Sequence, residues 1–232
     1  MSGGALNARL LSAAELVRQG AVFADIGTDH AYLPLFLLDG GKISRAVCAD
    51  INEGPLNSAR ANAAAAGLTE NIEFVLTDGA AVLSGKGITD YAICGMGGEL
   101  IAAIIERAPH LCDHSVNLIL GPNSRQAVLR KYLASHGFEI KCESYSFDSG
   151  KYYVTLLATY TGNRTEICDE EAEIGIKNAK YVNKSAQTGY LKAKLRAFKK
   201  QRDGKKCGGE SAEFETLMAE KIAERIEKLD AE

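Results

Sequence analysis

The fold turns on Asp25-Ile26-Gly27-Thr28-Asp29-His30-Ala31-Tyr32-Leu33-Pro34, which directly follows the apolar run Ala21-Val22-Phe23-Ala24. An apolar run ending in Asp-x-Gly reads as a buried strand delivering the chain into a tight, ligand-holding turn. Gly27 permits a positive φ or a close approach of backbone to a ligand. Loops that cradle a pyrophosphate continue with further glycines, whereas this one continues with Asp29, His30 and Tyr32. Carboxylates at 25 and 29 repel a diphosphate. That argues against NAD, FAD and nucleoside triphosphates, and it suits a ligand with a positive centre.

Working outward, strand-like and helix-like segments alternate. Residues 21–27 precede a helical run from Tyr32, and 45–51 precede an Ala-rich helix stopping at Gly67. Residues 71–79 and 89–98 follow, the latter opening onto ELIAAIIERAP; 116–123 leads to a helix stopping at Gly137. Two β-type runs, FEIKCESYSF and KYYVTLLATY, predict a hairpin around Asp148-Ser149-Gly150. Apolar strands alternating with helices imply an α/β domain, Rossmann-like and doubly wound. The sheet is expected to be mostly parallel, with one antiparallel strand at an edge. The expected α/β unit covers 1–162, with an amphipathic helix over 1–19 showing Leu6, Leu10, Ala13, Ala14 and Val17 on one face. Residues 163–232 are expected to form a coiled-coil-like helical hairpin: one long polar helix, a turn at DGKKCGGE (203–210), and a second helix. In that second helix Phe214, Met218, Ile222, Ile226 and Leu229 recur every three or four residues.

Ligands of such folds sit beyond the carboxyl ends of the strands, so the residues there carry most of the information. Asp50, at the end of the second strand, stands where an acid accepts the hydroxyls of an adenosine ribose, with Ile51 beside it. An acidic helix cap is the plain alternative. Asp78-Gly79 ends the third strand, as an acceptor for an adenine amino group or as a cap. Gly95-Met96-Gly97-Gly98 follows the fourth; three glycines in four residues let backbone run flat beneath a ligand, and Met96 offers a soft surface to an adenine ring. Asn123 ends the fifth strand as a site residue or a helix cap. Together with Asp25, Gly27 and Thr28, this ordered set describes an adenosine held without phosphates beside a positive sulfonium, which is S-adenosylmethionine.

The bulk numbers are those of an ordinary globular chain: 232 residues, 46% apolar and 25% charged. No apolar run reaches the roughly 20 residues of a membrane helix, and the N-terminus lacks the pattern of a signal peptide. A cytoplasmic reading follows from the six scattered cysteines too: without a CxxC pair they read as reduced, mostly buried thiols. The sequence HLCDH (110–114) lies after a helix, away from the strand ends, so a metal there is not expected. The net charge of −3 conceals an asymmetry. Residues 1–162 carry 12 basic and 16 acidic side chains; residues 177–206 carry 11 basic and one acidic.

The segments DIGTDHAYLP, DINEGP, TDG, GMGG, the Pro-Asn after the fifth strand and the C-terminal hairpin resemble the bacterial tRNA (adenine(22)-N1)-methyltransferases over essentially the whole chain. The resemblance implies a Rossmann-like methyltransferase domain, a helical domain that helps to hold tRNA, and methylation of N1 of adenosine 22. One departure is visible: the family often has Gln before Pro-Asn, and Gly121 stands here.

Adenine N1 has its own lone pair, so in-line attack on a sulfonium methyl needs positioning rather than a covalent intermediate. A carboxylate accepting from the N6 amino group favours the developing cation, and Asp29 is the first choice for it. His30 is a candidate to position Asp29, bond the cofactor or take a proton; Tyr32 is a candidate to stack on the base. Both have a plain structural alternative. Lys177, Lys180, Lys184, Lys192, Lys194, Arg196, Lys199 and Lys200, with Tyr181 and Tyr190 interleaved, are expected to track phosphates along one helix. A monomer binding tRNA is expected. The alternatives are methylation of another RNA position or of a small molecule, or a non-catalytic RNA-binding protein; a dinucleotide oxidoreductase lacks its GxGxxG.

Overall fold

The computed structural model describes residues 6–177 and 179–231. Residues 1–5, the start of the expected first helix, and the side chain of Tyr181 lie outside the described residues. Helix α1 (Ala8–Leu16) starts at Asn7, whose side chain accepts the Leu10 N–H, and it buries Ala13 and Ala14. The strands are β1 (Ala21–Ile26), β2 (Ile43–Asp50), β3 (Ile72–Leu76), β4 (Asp90–Cys94), β5 (Asn117–Gly121), β6 (Phe138–Asp148), β7 (Lys151–Tyr160) and β8 (Lys180–Val182). Between them run α2 (Tyr32–Asp39), α3 (Glu53–Ala66), α4 (Gly98–Glu106), α5 (Gln126–Ser135) and α6 (Asp169–Ile174); α7 (Lys184–Cys207) and α8 (Glu213–Ala231) close the chain.

The eight strands form one sheet in the order β3-β2-β1-β4-β5-β7-β6-β8. The pairs among β1 to β5 are parallel, and β7 is antiparallel to both its neighbours. The antiparallel strand therefore lies between β5 and β6, and short β8 adds a parallel strand outside β6. Consecutive residues of β1 point to opposite faces. Phe23 joins Ala13, Ala14, Leu33, Leu37, Ala59 and Ala63 on one side. Ala24 and Ile26 join Ile93, Ile101, Leu118, Leu129 and Leu133 on the other. Burial on both faces is why these strands read as continuous apolar runs.

Three expectations for the C-terminal third are corrected. The long polar segment is not one helix: α6 stops at Gly175, with φ +135°, and β8 intervenes before α7 begins. Glycine adopts that backbone where other residues resist it, so the helix ends there. Lys177 and Lys180 consequently lie outside α7. The turn is also shorter than composition suggested, because α7 runs through Gly204 to Cys207 and reverses at Gly208 and Gly209, the latter at φ +74°. Tyr190 is no surface aromatic; it is buried against the Tyr145 ring, 5.2 Å away. The hairpin itself is antiparallel: Lys205 meets Glu215 near the turn at 2.7 Å, and Lys192 meets Asp230 at the open end at 3.5 Å. Phe198 and Phe214 close its seam edge to face.

A buried latch joins this third of the chain to the sheet. Arg130 donates to both carboxylate oxygens of Glu143, at 2.9 and 3.0 Å, and to the Ala172 carbonyl of α6 at 2.8 Å. Tyr145 adds a hydroxyl donor to Glu143 at 2.6 Å, and Arg130 and Glu143 are wholly inaccessible. Among the described residues no helix is long and apolar enough to cross a membrane.

Candidate active site

The topological switch point lies between β1 and β4, where strand order reverses. The chain leaves β1 through Gly27, at φ +75°, whose amide donates to the Ala49 carbonyl at 2.8 Å. A Cβ on Gly27 would lie 2.4 Å from the Met96 methyl, so the loops after β1 and β4 touch at this point. Asp29 and Ala31 then both adopt left-handed backbone, with φ +45° and +57°. Non-glycine residues pay roughly 1–3 kcal/mol for such conformations, and they concentrate at functional sites. The result presents the Asp29 carboxylate, 74% exposed, 3.6 Å from His30 Nε2. His30 in turn stacks on the half-exposed Tyr32 ring, with centroids 5.2 Å apart. Asp29, His30 and Tyr32 thus form one surface group.

Asp25 is buried beneath this loop and accepts the Thr28 hydroxyl at 2.8 Å. Burial pushes its carboxyl up to about 6, against the pull of Thr28 and with a further push from Asp50. Burial and the neighbouring Asp50 carboxylate both disfavour its charged form. That is the environment in which a cationic ligand gains most. Asp50 is not a helix side-chain cap; it accepts the Asn52 N–H at 2.8 Å in a tight turn, and Ile51 beside it is 61% exposed. Asp78 does not cap the short turn after it, which opens at Ala80. It is bound by Arg107 from the end of α4, at 2.7 and 3.4 Å, on an exposed surface. Gly79 sits at φ +89° with Ile104 close behind it.

The turn Gly95-Met96-Gly97-Gly98 is clamped to the end of β5. Asn123 donates its side-chain N–H to the Gly95 carbonyl at 2.7 Å, and its backbone N–H to Met96 at 2.8 Å. The cap alternative for Asn123 fails, since α5 begins beyond it at Gln126. Its Oδ1 accepts from Arg9 of α1 at 3.0 Å. Arg9 lies over the Tyr153 ring at 5.6 Å, and its buried Nε has no partner among the described residues. Sequence reading missed Arg9, as it missed Arg107. Arg9 occupies the polar side of an amphipathic helix, and only the packing of α1 on the sheet brings it to the strand ends. Gly121 also gains a reason: a Cβ there would lie 2.8 Å from Cys94 Sγ. A side chain longer than glycine has no room while Cys94 fills that space.

The basic residues divide. Lys177, Lys180, Lys184, Lys192, Arg196, Lys199 and Lys200 are exposed. Lys194 is mostly covered and paired with Glu173 at 2.5 Å, so it braces the base of the hairpin instead of facing outward. All six thiols are free; Cys48 and Cys142 are buried, whereas Cys112, Cys168 and Cys207 are exposed, which corrects the expectation that most are covered. The described residues contain no group of three or more His, Cys, Asp or Glu able to hold a metal, and His110 packs against the Tyr91 ring.

Comparison with known proteins adds to this geometry. A family model described as a methyltransferase domain matches residues 6–156. The tRNA (adenine(22)-N(1))-methyltransferase of Bacillus subtilis is 35% identical over 187 residues, which is 80% of this chain and 72% of that protein. Among solved structures, the B. subtilis M1A22 tRNA methyltransferase TrmK is 28% identical with a TM-score of 0.73, covering 98% of both chains. Sp1610 of Streptococcus pneumoniae, provisionally named a tRNA (m1A22) methyltransferase and solved with S-adenosyl-L-methionine, is 30% identical with a TM-score of 0.76, covering 97% of this chain and 99% of its own. Sequence identity and structural likeness over nearly the whole chain agree, and the chain belongs to the tRNA (adenine(22)-N1)-methyltransferase family.

Proposed function

We propose that the protein transfers the methyl group of S-adenosylmethionine to N1 of adenosine 22 of tRNA. The observation that carries the reading is the convergence of Asp25, Asp50 and the Gly27–Met96 contact beside the Asp29-His30-Tyr32 surface. Acids without a phosphate cradle fit a cationic adenosine derivative. When bound, that cofactor supplies an electrophilic methyl on sulfur. In this assignment Asp25, Gly27, Thr28, His30, Gly95 and Gly97 hold its amino-acid end, Asp50 accepts from the ribose, and Ile51, Asp78, Gly79 and Met96 surround the adenine.

The chain's work on the target base is positioning. Freeing a base from its helix costs about a few kcal/mol. The strained loop presents Tyr32 as a stacking face and Asp29 as an acceptor for the N6 amino group, which stabilises the ring as N1 becomes alkylated. His30, held between Asp29 and Tyr32, orients both. Asn123 keeps the Gly95–Gly98 turn flat, so it acts through backbone. The exposed cations of α7 and the segment before it contribute affinity and orientation through phosphates, while shape selects the RNA. We assign 1–162 to catalysis and 163–232 to tRNA holding, in a cytoplasmic monomer. Incubating unmodified total tRNA with labelled cofactor and analysing nucleosides tests the reading. N1-methyladenosine is expected; N6-methyladenosine alone, or no transfer, overturns it.

A further inference from the structure

A second recess opens beside this site. It is a cavity of about 710 Å³ between α1, the ends of β6 and β7, and the first turn of α7. Its walls include Leu11 and Glu15 of α1, Ser146 and Phe147 of β6, Tyr152 of β7, and Ser185 of α7. Strands β6 and β8 run parallel to one another and, through antiparallel β7, to β5. The cavity therefore lies at the same sheet edge as the residues described above. The two are neighbours across the sheet: Ser146, which lines the cavity, pairs directly across from Tyr153, whose ring carries the Arg9 guanidinium that reaches Asn123.

Three independent features describe what fits. Helix α7 is 24 residues long and points its N-terminus at the cavity, where the Asn183 side chain accepts the Ala186 amide. The backbone N–H groups of the first turn and the helix dipole favour an anion there. Ser146 is 4% exposed, and its buried hydroxyl has no partner among the described residues although it lines the cavity. A buried polar atom left without a partner is destabilising, and a ligand's oxygen accepting from it removes that cost. Phe147 is 52% exposed and forms a pair with Tyr152, centroids 4.6 Å apart, which gives a flat base a stacking surface. Glu15 on the opposite wall repels phosphate toward α7 and accepts from a base that carries an amino group.

We propose that this cavity receives a phosphate-bearing nucleotide of the RNA substrate, distinct from the methylated base, at the junction between the sheet edge and the basic helix. The inference rests on the tRNA reading above. Its test uses the full chain with Ser185→Glu and Ser185→Lys. An acid in the first helical turn preserves the helix, so loss of folding does not confuse the result. Ser185→Glu raises the KM for tRNA about tenfold, the size of a lost charged hydrogen bond. Ser185→Lys leaves KM unchanged or lowers it, and both variants keep the affinity for S-adenosylhomocysteine. Equal effects from the two charges, or no change with Ser185→Glu, overturn the proposal. Independently, adenosine monophosphate titrated into protein saturated with S-adenosylhomocysteine shifts the amide resonances of Ser146 and Ser185; silent amides there overturn it. If the wild-type chain methylates no tRNA, the function is wrong, and the nucleotide titration still decides the cavity.

Discussion

Replacing Asp25 with Asn stabilises the empty protein and weakens its hold on the cofactor. Burial raises the Asp25 carboxyl from 3.8 to about 6. A carboxyl with a folded pKa above its unfolded value makes the native state the better proton binder between those two values. Stability therefore falls as pH rises from about 4 to about 6 and does not recover above that window. Each unit corresponds to roughly 1.4 kcal/mol, so the ionised carboxylate costs the apo fold about 3 kcal/mol at pH 7. Asparagine keeps an acceptor for the Thr28 hydroxyl, 2.8 Å away, and removes the charge. Urea unfolding is expected to show the variant more stable by about 1–3 kcal/mol at pH 8, with the gap closing toward pH 4.

Binding gives the opposite sign. A cationic ligand needs the ionised carboxylate, so the affinity of the wild type for S-adenosylhomocysteine, through its amino group, rises as pH passes about 6. The variant binds at least tenfold more weakly at pH 8 and shows no such rise. Calorimetry at pH 6 in buffers of different ionisation enthalpy records proton release on binding to the wild type only. A variant with wild-type affinity, or stability curves of identical pH dependence, refutes the assignment of Asp25 to a cationic ligand.

Arg130→Met strands the wholly buried Glu143 carboxylate and lowers unfolding free energy by about 3–5 kcal/mol, whereas a double change with Glu143→Leu recovers much of it, as urea melts will show. Gly98→Ala places a methyl 2.3 Å from the Arg125 carbonyl oxygen; it costs about 1–3 kcal/mol of stability and weakens cofactor affinity by moving the turn after β4. Lys199→Glu with Lys200→Glu raises the KM for tRNA and flattens its salt dependence by roughly one unit of slope per lost phosphate contact. The same pair leaves S-adenosylhomocysteine affinity unchanged, which a binding isotherm checks.

The α/β core was legible because its central strands, β1, β4 and β5, are buried on two faces and because its turns fall at residues with a backbone job. Gly67, at φ +70°, ends α3 where an α-left stop was expected; Ser149 and Gly150, both at positive φ, make the hairpin turn. Local chemistry of that kind survives in one dimension. The segment from 163 to 183 was misread for the converse reason. Its polarity suggested a solvated helix, but Ala172 and Ile174 pack inward and β8 takes its place through backbone pairing with β6. Backbone pairing at a sheet edge leaves almost no composition signal, so charge dominated the reading.

The same distinction separates the legible candidate residues from the hidden ones. Asp25, Asp50, Gly95 and Asn123 stand where strands end, and strand ends can be located from periodicity. Arg9 and Arg107 are helix residues whose direction depends on how a helix lies across the sheet, which no spacing encodes. Their effects nevertheless reach inward: Arg107 ties down Asp78, and Arg9 ties down Asn123, which holds the Gly95 carbonyl. A guanidinium on α1 thus helps set the backbone after β4 from the far side of β5. Asn123 has both ends of its side-chain amide engaged by the chain itself. It is therefore better placed to shape the floor beneath a ligand than to contact one directly, whereas the Asp29 carboxylate, 74% exposed, keeps a face open to solvent.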